Sequence, residues 1–179
     1  TYERYRDDRL ELLFLSVGQG DSAVVKLPGG KVMVVDAGPP GRGRLAVAPL
    51  LGRMHIGRID YLAVSHVQRD HWGGLEGLAE SLDIGELWYP GGDCPSEAFD
   101  RGLSSLRSRG TNIIDLGRVA ADRPGQRAAE RGRKDRGAAS QPLLVRAGAE
   151  GWRIEALWPR DEEGSCDDND RSLLLSLTY

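Results

Sequence analysis

Lysine, histidine, cysteine and long apolar runs are all scarce in this chain. Only Lys26, Lys31 and Lys134 are lysines, so arginine carries almost all the positive charge, and the net charge of −3 excludes a generic polyanion binder. Contact with nucleic acid would need a local basic patch. The two cysteines, Cys94 and Cys166, lie far apart without CxxC or CxxH neighbours. They read as plain thiols and leave the redox compartment open. No apolar run approaches the roughly 18 residues that span a bilayer. The polar, charged stretch from Thr1 to Arg9 shows no signal peptide. Histidine occurs only at positions 55, 66 and 71.

What is present suits one soluble domain with a hydrophobic core: 179 residues, 40% hydrophobic and 28% charged. Leu10 to Ser16 predicts a first strand, and Val17-Gly18-Gln19-Gly20-Asp21 a turn. Ser22 to Leu27 and Lys31 to Val35 predict a hairpin joined through Pro28-Gly29-Gly30. Leu45 to Met54 has the apolar spacing of a one-faced helix. Ile59 to Val64 is an apolar strand apart from Asp60, expected to be buried on both faces. Beyond it come a helix from Gly74 to Ser81, a strand from Glu86 to Tyr89, a helix from Pro95 to Arg109 and a strand from Asn112 to Leu116. The order β-β-β-α-β-α-β-α-β predicts an α/β layered fold.

From Arg118 to Ser140 the hydrophobic period disappears. This stretch holds seven basic and three acidic residues. It reads as a solvated, flexible basic insertion in a single domain spanning 1–179. The alternative, a basic arm that holds a phosphate backbone, lacks interleaved aromatics. Strands are expected again at Leu143 to Arg146, Trp152 to Trp158 and Ser172 to Tyr179. The threonine start and the end inside an apolar strand suggest a piece of a longer protein, incomplete at its C-terminus.

The chemistry centres on Ser65-His66-Val67-Gln68-Arg69-Asp70-His71-Trp72-Gly73-Gly74-Leu75. Two histidines and an aspartate fall within six residues, after a buried strand and before a helix, where α/β folds place their sites. Imidazole suits zinc, and carboxylate oxygen suits manganese as well. A tight turn lets His66, Asp70 and His71 converge on one ion or on two adjacent ones. His55, at a helix end beside Met54, is expected to be structural.

His-x-x-x-Asp-His followed by Gly-Gly-Leu resembles the metal motif of the metallo-β-lactamase superfamily. Three further stretches narrow the resemblance: Phe14 to Asp21, Leu27 to Gly38, and Asn169 to Leu175. Together they are similar to the C-terminal domain of ComEC-type competence proteins, the DNA-uptake channels of naturally transformable bacteria. The resemblance implies an αββα sandwich, here expected to be truncated within its second half. It also implies a metal-dependent hydrolase, a phosphodiesterase or nuclease acting on single-stranded DNA during transformation. The metal ligands would be His66, Asp70 and His71, with Asp70 also catalytic and one or two divalent ions, zinc or manganese, as cofactors. Asp21, Asp36, Asn169 and Ser172 would lie beside the site as supporting or structural groups. DNA would be the partner. The domain itself would be soluble, its parent embedded in the bacterial inner membrane.

Two departures qualify this. Gln68 stands where the motif usually has histidine or aspartate, and its neutral amide is a weak ligand or an outer support. The superfamily also completes its site with an aspartate and a histidine from the second half of the fold, which the chain does not reach before Tyr179. Two alternatives follow: a catalytically degenerate module that binds DNA or a partner, and a hydrolase of small esters or phosphodiesters on the same fold.

Overall fold

The computed structural model describes residues 8–91, 96–121, 143–157 and 172–179. Six strands form the main sheet in the order of the chain: β1 (Glu11–Phe14), β2 (Ala23–Leu27), β3 (Lys31–Val35), β4 (Arg58–Ala63), β5 (Asp83–Tyr89) and β6 (Asn112–Asp115). The first three pair antiparallel, while β3 through β6 run parallel. The change of direction puts the C-terminal ends of β3 and β4 side by side. Parallel neighbours need crossovers, and helices supply them.

The crossover from β3 to β4 starts with a wide π-type turn, Gly43–Val47, that runs into α1 (Ala48–Arg53). The next contains α2 (Arg69–Trp72) and α3 (Leu75–Ser81). The third is α4 (Glu97–Ser108), which begins where the Ser96 hydroxyl accepts from the Phe99 N–H at 3.3 Å. Glu97 and Asp100 add favourable charge to its first turn, and Phe99, Leu103 and Leu106 form its buried stripe.

Alternation along the strands divides the core in two. Val24, Val34, Leu62 and Leu87 are cross-strand neighbours and face the helices. Val25, Met33, Ala63 and Trp88 face the opposite way. There they meet a second, antiparallel sheet of β7 (Leu143–Ala147), β8 (Arg153–Leu157) and β9 (Leu174–Thr178) through Val145, Trp152, Ile154 and Ala156. Trp88 is fully buried at this junction, with Tyr61 stacked on it at 5.0 Å. Its indole N–H donates to Glu86 at 2.9 Å, and both Glu86 oxygens accept short hydrogen bonds from the Arg146 guanidinium of β7. Two half-buried charges are thereby paired between the sheets, joined by charge-assisted hydrogen bonds. The result is a helix–sheet–sheet stack, which gives three layers of the expected αββα sandwich among the described residues.

Several boundaries differ from the sequence expectation. β5 starts three residues earlier, at Asp83, because parallel pairing with Arg58 extends it through a polar segment. The strand expected to reach Leu116 stops at Asp115. The Asp115 carboxylate there accepts from the Arg118 N–H at 2.9 Å and caps a short helix, α5 (Leu116–Ala121). The first four residues of the stretch from Arg118 to Ser140 therefore belong to α5. The rest of that stretch, together with Cys94, Cys166 and Asn169, lies outside the described residues. Among the described residues no helix is long and apolar enough to cross a membrane.

His55 follows the end of α1 with φ at 57°, and its N–H donates to the Gly52 carbonyl at 3.0 Å. It is exposed and acts as a left-handed stop to the helix, a role usually filled by glycine. A side chain in that conformation costs about 1–2 kcal/mol, partly offset by the roughly 0.5–1 kcal/mol of chain entropy that glycine loses on folding. His55→Gly should therefore change stability by between zero and about 1.5 kcal/mol in the favourable direction by urea denaturation. A clear loss would mean that the imidazole has a further structural role.

Candidate metal centre

The site is built where β3 and β4 end together. The ladder continues past β3 as the Asp36 N–H donates to the Ala63 carbonyl at 2.8 Å, and the chain then turns at Asp36 with φ at 58°. That left-handed conformation is tolerated by aspartate better than by most residues. It leaves the carboxylate buried beneath the loop that follows β4. One oxygen accepts from the Ser65 N–H at 2.7 Å. The other accepts from the Ser65 hydroxyl at 2.7 Å and from His71 Nδ1 at 2.8 Å. The same hydroxyl lies 2.9 Å from His66 Nδ1.

These partners dictate the tautomers. A carboxylate only accepts, so His71 carries its proton on Nδ1 and leaves a lone pair on Nε2. The single Ser65 proton goes to Asp36. His66 Nδ1 must then donate to the serine oxygen, so its Nε2 also keeps a lone pair. Both imidazoles are buried, and their ring centroids are 3.8 Å apart. One carboxylate thus fixes two nitrogen donors, in the manner of the carboxylate–histidine pairs that orient metal ligands. Ser65 is a functional residue that sequence reasoning misses. Its position directly before His66 is the only available signal.

The open side of His71 faces two more carboxylates. Oxygens of Asp70 and Asp21 each stand 3.9 Å from His71 Nε2. Asp21 reaches this place because the Gly18-Gln19-Gly20 turn lies on the histidine loop. A Cβ at Gly20 would collide with the Asp70 carbonyl, and φ there is 128°, so only glycine permits the approach. Asp21 is 82% exposed, on the solvent side of the imidazole rather than behind it. Ser22, the next residue, anchors the turn by donating to the Asp36 carbonyl at 2.9 Å.

The loop itself is fixed by its backbone. The Ala37 N–H donates to the His71 carbonyl at 2.7 Å and the Gly74 N–H to the Gly38 carbonyl at 2.9 Å. Gly74 packs so closely on Ala37 and Gly43 that a methyl group would not fit. Gln68 caps α2 in extended conformation, and its carbonyl accepts from the His71 N–H at 3.0 Å. Its amide side chain makes no hydrogen bond among the described residues. Ser172 is half-buried at the approach to β9, and its neighbour Leu173 donates its N–H to the Ser65 carbonyl at 2.6 Å. The segment before β9 therefore docks beside the centre.

The donor set of His66, His71, Asp70 and Asp21 has the chemistry of a site for zinc or manganese. Two ligands of one zinc ion stand about 3.4 Å apart at the tetrahedral angle and at most about 4.2 Å apart. The 3.9 Å separations fall inside that limit but are wider than tetrahedral. Consistent with this, among the described residues no three His, Cys, Asp or Glu side chains converge closely enough to hold an ion as they stand. Donor type and tautomer fit the ion, while the spacing as it stands does not close on it.

The Asp36 hydrogen bond raises the His71 pKa above its ordinary value of 6.5; burial opposes it, and the charges of Asp36, Asp70 and Asp21 add to it. Because the folded value is the higher one, the protonated imidazole stabilises the fold. That contribution is complete below about pH 6.5 and is lost as pH rises through the raised folded value. With chelator present, the His71 titration followed by NMR should have its midpoint above 6.5 and should move down in Asp36→Asn. An unmoved midpoint would contradict the coupling.

The family model of the metallo-β-lactamase superfamily matches residues 15–170, which takes in the glycine turn, the hairpin, the histidine loop and two strands of the second sheet. No protein of curated function matches the chain. The superfamily consists mainly of metal-dependent hydrolases that typically bind one or two zinc ions. With this match over most of its length, and with the fold and centre described above, the chain belongs to the metallo-β-lactamase superfamily.

Proposed function

We propose that this chain is a metal-dependent phosphodiesterase acting on single-stranded DNA, from a ComEC-type DNA-uptake protein of the bacterial inner membrane. The observation that supports this most is the seating of the Gly18-Gln19-Gly20-Asp21 turn on the histidine loop. It brings a second acidic side chain, Asp21, to the open face of His71 at the same 3.9 Å as Asp70. In this reading the motif that narrows the resemblance is part of the centre itself.

His66 and His71 would hold the ion through Nε2, and Asp70 would be an oxygen ligand that also orients the attacking water. A divalent cation, when bound, supplies the Lewis acidity that makes water nucleophilic near neutral pH. Asp36 and Ser65 keep both imidazoles in the donor tautomer, and Asp21 offers a further oxygen on the solvent side. Gln68 would support the loop from outside the ligand set. Asn169 and Ser172 match family positions and would be structural, Ser172 at the docking segment. The basic residues of the 118–140 stretch would add general attraction for DNA.

A second reading is favoured by the neutral Gln68 and by the wide spacing of the donors. On that reading the chain is a degenerate module that binds DNA or a partner without cleaving it. Metal analysis and cleavage separate the two. The purified protein should retain about one or more divalent ions per chain and cleave single-stranded DNA in their presence, with His71→Ala abolishing cleavage. Asp36→Asn should weaken metal affinity about 10–100-fold, as loss of such an orienting carboxylate generally does. Wild-type protein that purifies without metal and leaves DNA intact would support the degenerate module. Cleavage confined to small esters would point to a different hydrolase.

A further inference from the structure

We propose that Arg42 is the residue that seats a substrate phosphate at the rim of the centre; the inference rests on the phosphodiesterase reading and names the group that recognises its anion. Arg42 lies in the turn that follows β3, closed by its own N–H donating to the Pro39 carbonyl at 3.0 Å. That turn is pinned on both sides to the site. Gly38 is bonded to Gly74 of the histidine loop, and Pro39 packs against Gly20 of the glycine turn. The arginine side chain crosses from Gly38 to Gly18, where its Nη2 would be 3.7 Å from a Cβ placed at that glycine. Gly18 and Asp21 are three residues apart, a span of at most about 10–11 Å. The guanidinium therefore sits on the same short turn that delivers Asp21 to His71.

Among the described residues the guanidinium has no ion-pair or hydrogen-bond partner, although it is exposed and beside a centre rich in carboxylates. An arginine lying over a glycine turn, with no partner for its five donors among the described residues, matches a phosphate oxygen pair better than a lysine would. Charge balance points the same way. With no cation bound, Asp21, Asp36 and Asp70 make the centre repel an approaching anion, and the chain carries a net charge of −3. A fixed positive group at the rim compensates locally. Arg44, by contrast, has its Cβ against Gly77 of α3, on the flank of the helix layer.

The test is binding of oligo-dT to the full protein by fluorescence anisotropy, with chelator present, across a range of salt concentrations. For a single strand, each phosphate that the protein no longer neutralises lowers the slope of log affinity against log salt by about 0.7. Arg42→Ala and Arg42→Gln should both show that drop, and Arg42→Lys should retain most of the slope. Arg101→Ala removes an equal charge from exposed α4 and should leave the slope unchanged. With metal restored, the Arg42 variants should raise KM for DNA with little change in kcat. If wild type binds and cleaves DNA but the Arg42 variants keep its slope and KM, Arg42 is not the phosphate seat while the phosphodiesterase reading stands. If wild type neither binds nor cleaves DNA, both fall together.

Discussion

The carboxylate of Asp36 accepts three hydrogen bonds at 2.7–2.8 Å, from the Ser65 N–H, the Ser65 hydroxyl and His71 Nδ1, and the rest of the centre is arranged around that fact. An aspartate buried to this degree is stable as an anion only when its lone pairs are filled. Parallel pairing of β3 with β4 supplies the donors, because it carries the chain end of one strand to the chain end of the next. The left-handed turn at Asp36 then points the side chain at Ser65 instead of away from the sheet. Without either feature a buried charge would stand without partners and two histidines without a fixed orientation.

From this arrangement the electrostatics follow. Asp36 is compensated by its donors, but Asp21 and Asp70 add negative charge on the other side of the same imidazole. Two neutral histidines cannot balance them. A cation would suit this cluster, and the raised His71 pKa reflects the same negative surroundings. The family to which the chain belongs typically binds metal ions, and the donor tautomers deduced for His66 and His71 suit such ions.

Much of the architecture is legible in the sequence because each strand carries its burial in its pattern. The Ile59 to Val64 run reads as a doubly buried strand, and α4 announces itself with the Phe99, Leu103, Leu106 stripe. The α5 helix is not legible, because six residues offer too little periodicity; its cue is the cap from Asp115, whose partner becomes visible only in three dimensions. In the site, the close spacing of His66, Asp70 and His71 is local and readable. The contact between Asp36 and Ser65 spans 29 residues and depends on strand register, which no local pattern encodes. Asp21 is legible as part of a motif, but its position on the open face of His71 depends on how Gly20 packs against the Asp70 backbone.

The most direct test of the account is the position of the imidazole protons, because the donor role of both histidines rests on it. Long-range proton–nitrogen correlation spectra can be recorded with chelator present, at a pH above the His71 transition. They should show His66 and His71 both protonated on Nδ1, with Nε2 bare. A proton on Nε2 of either ring would contradict the hydrogen-bond scheme from Asp36 through Ser65, and with it the claim that the two nitrogens stand ready for a cation.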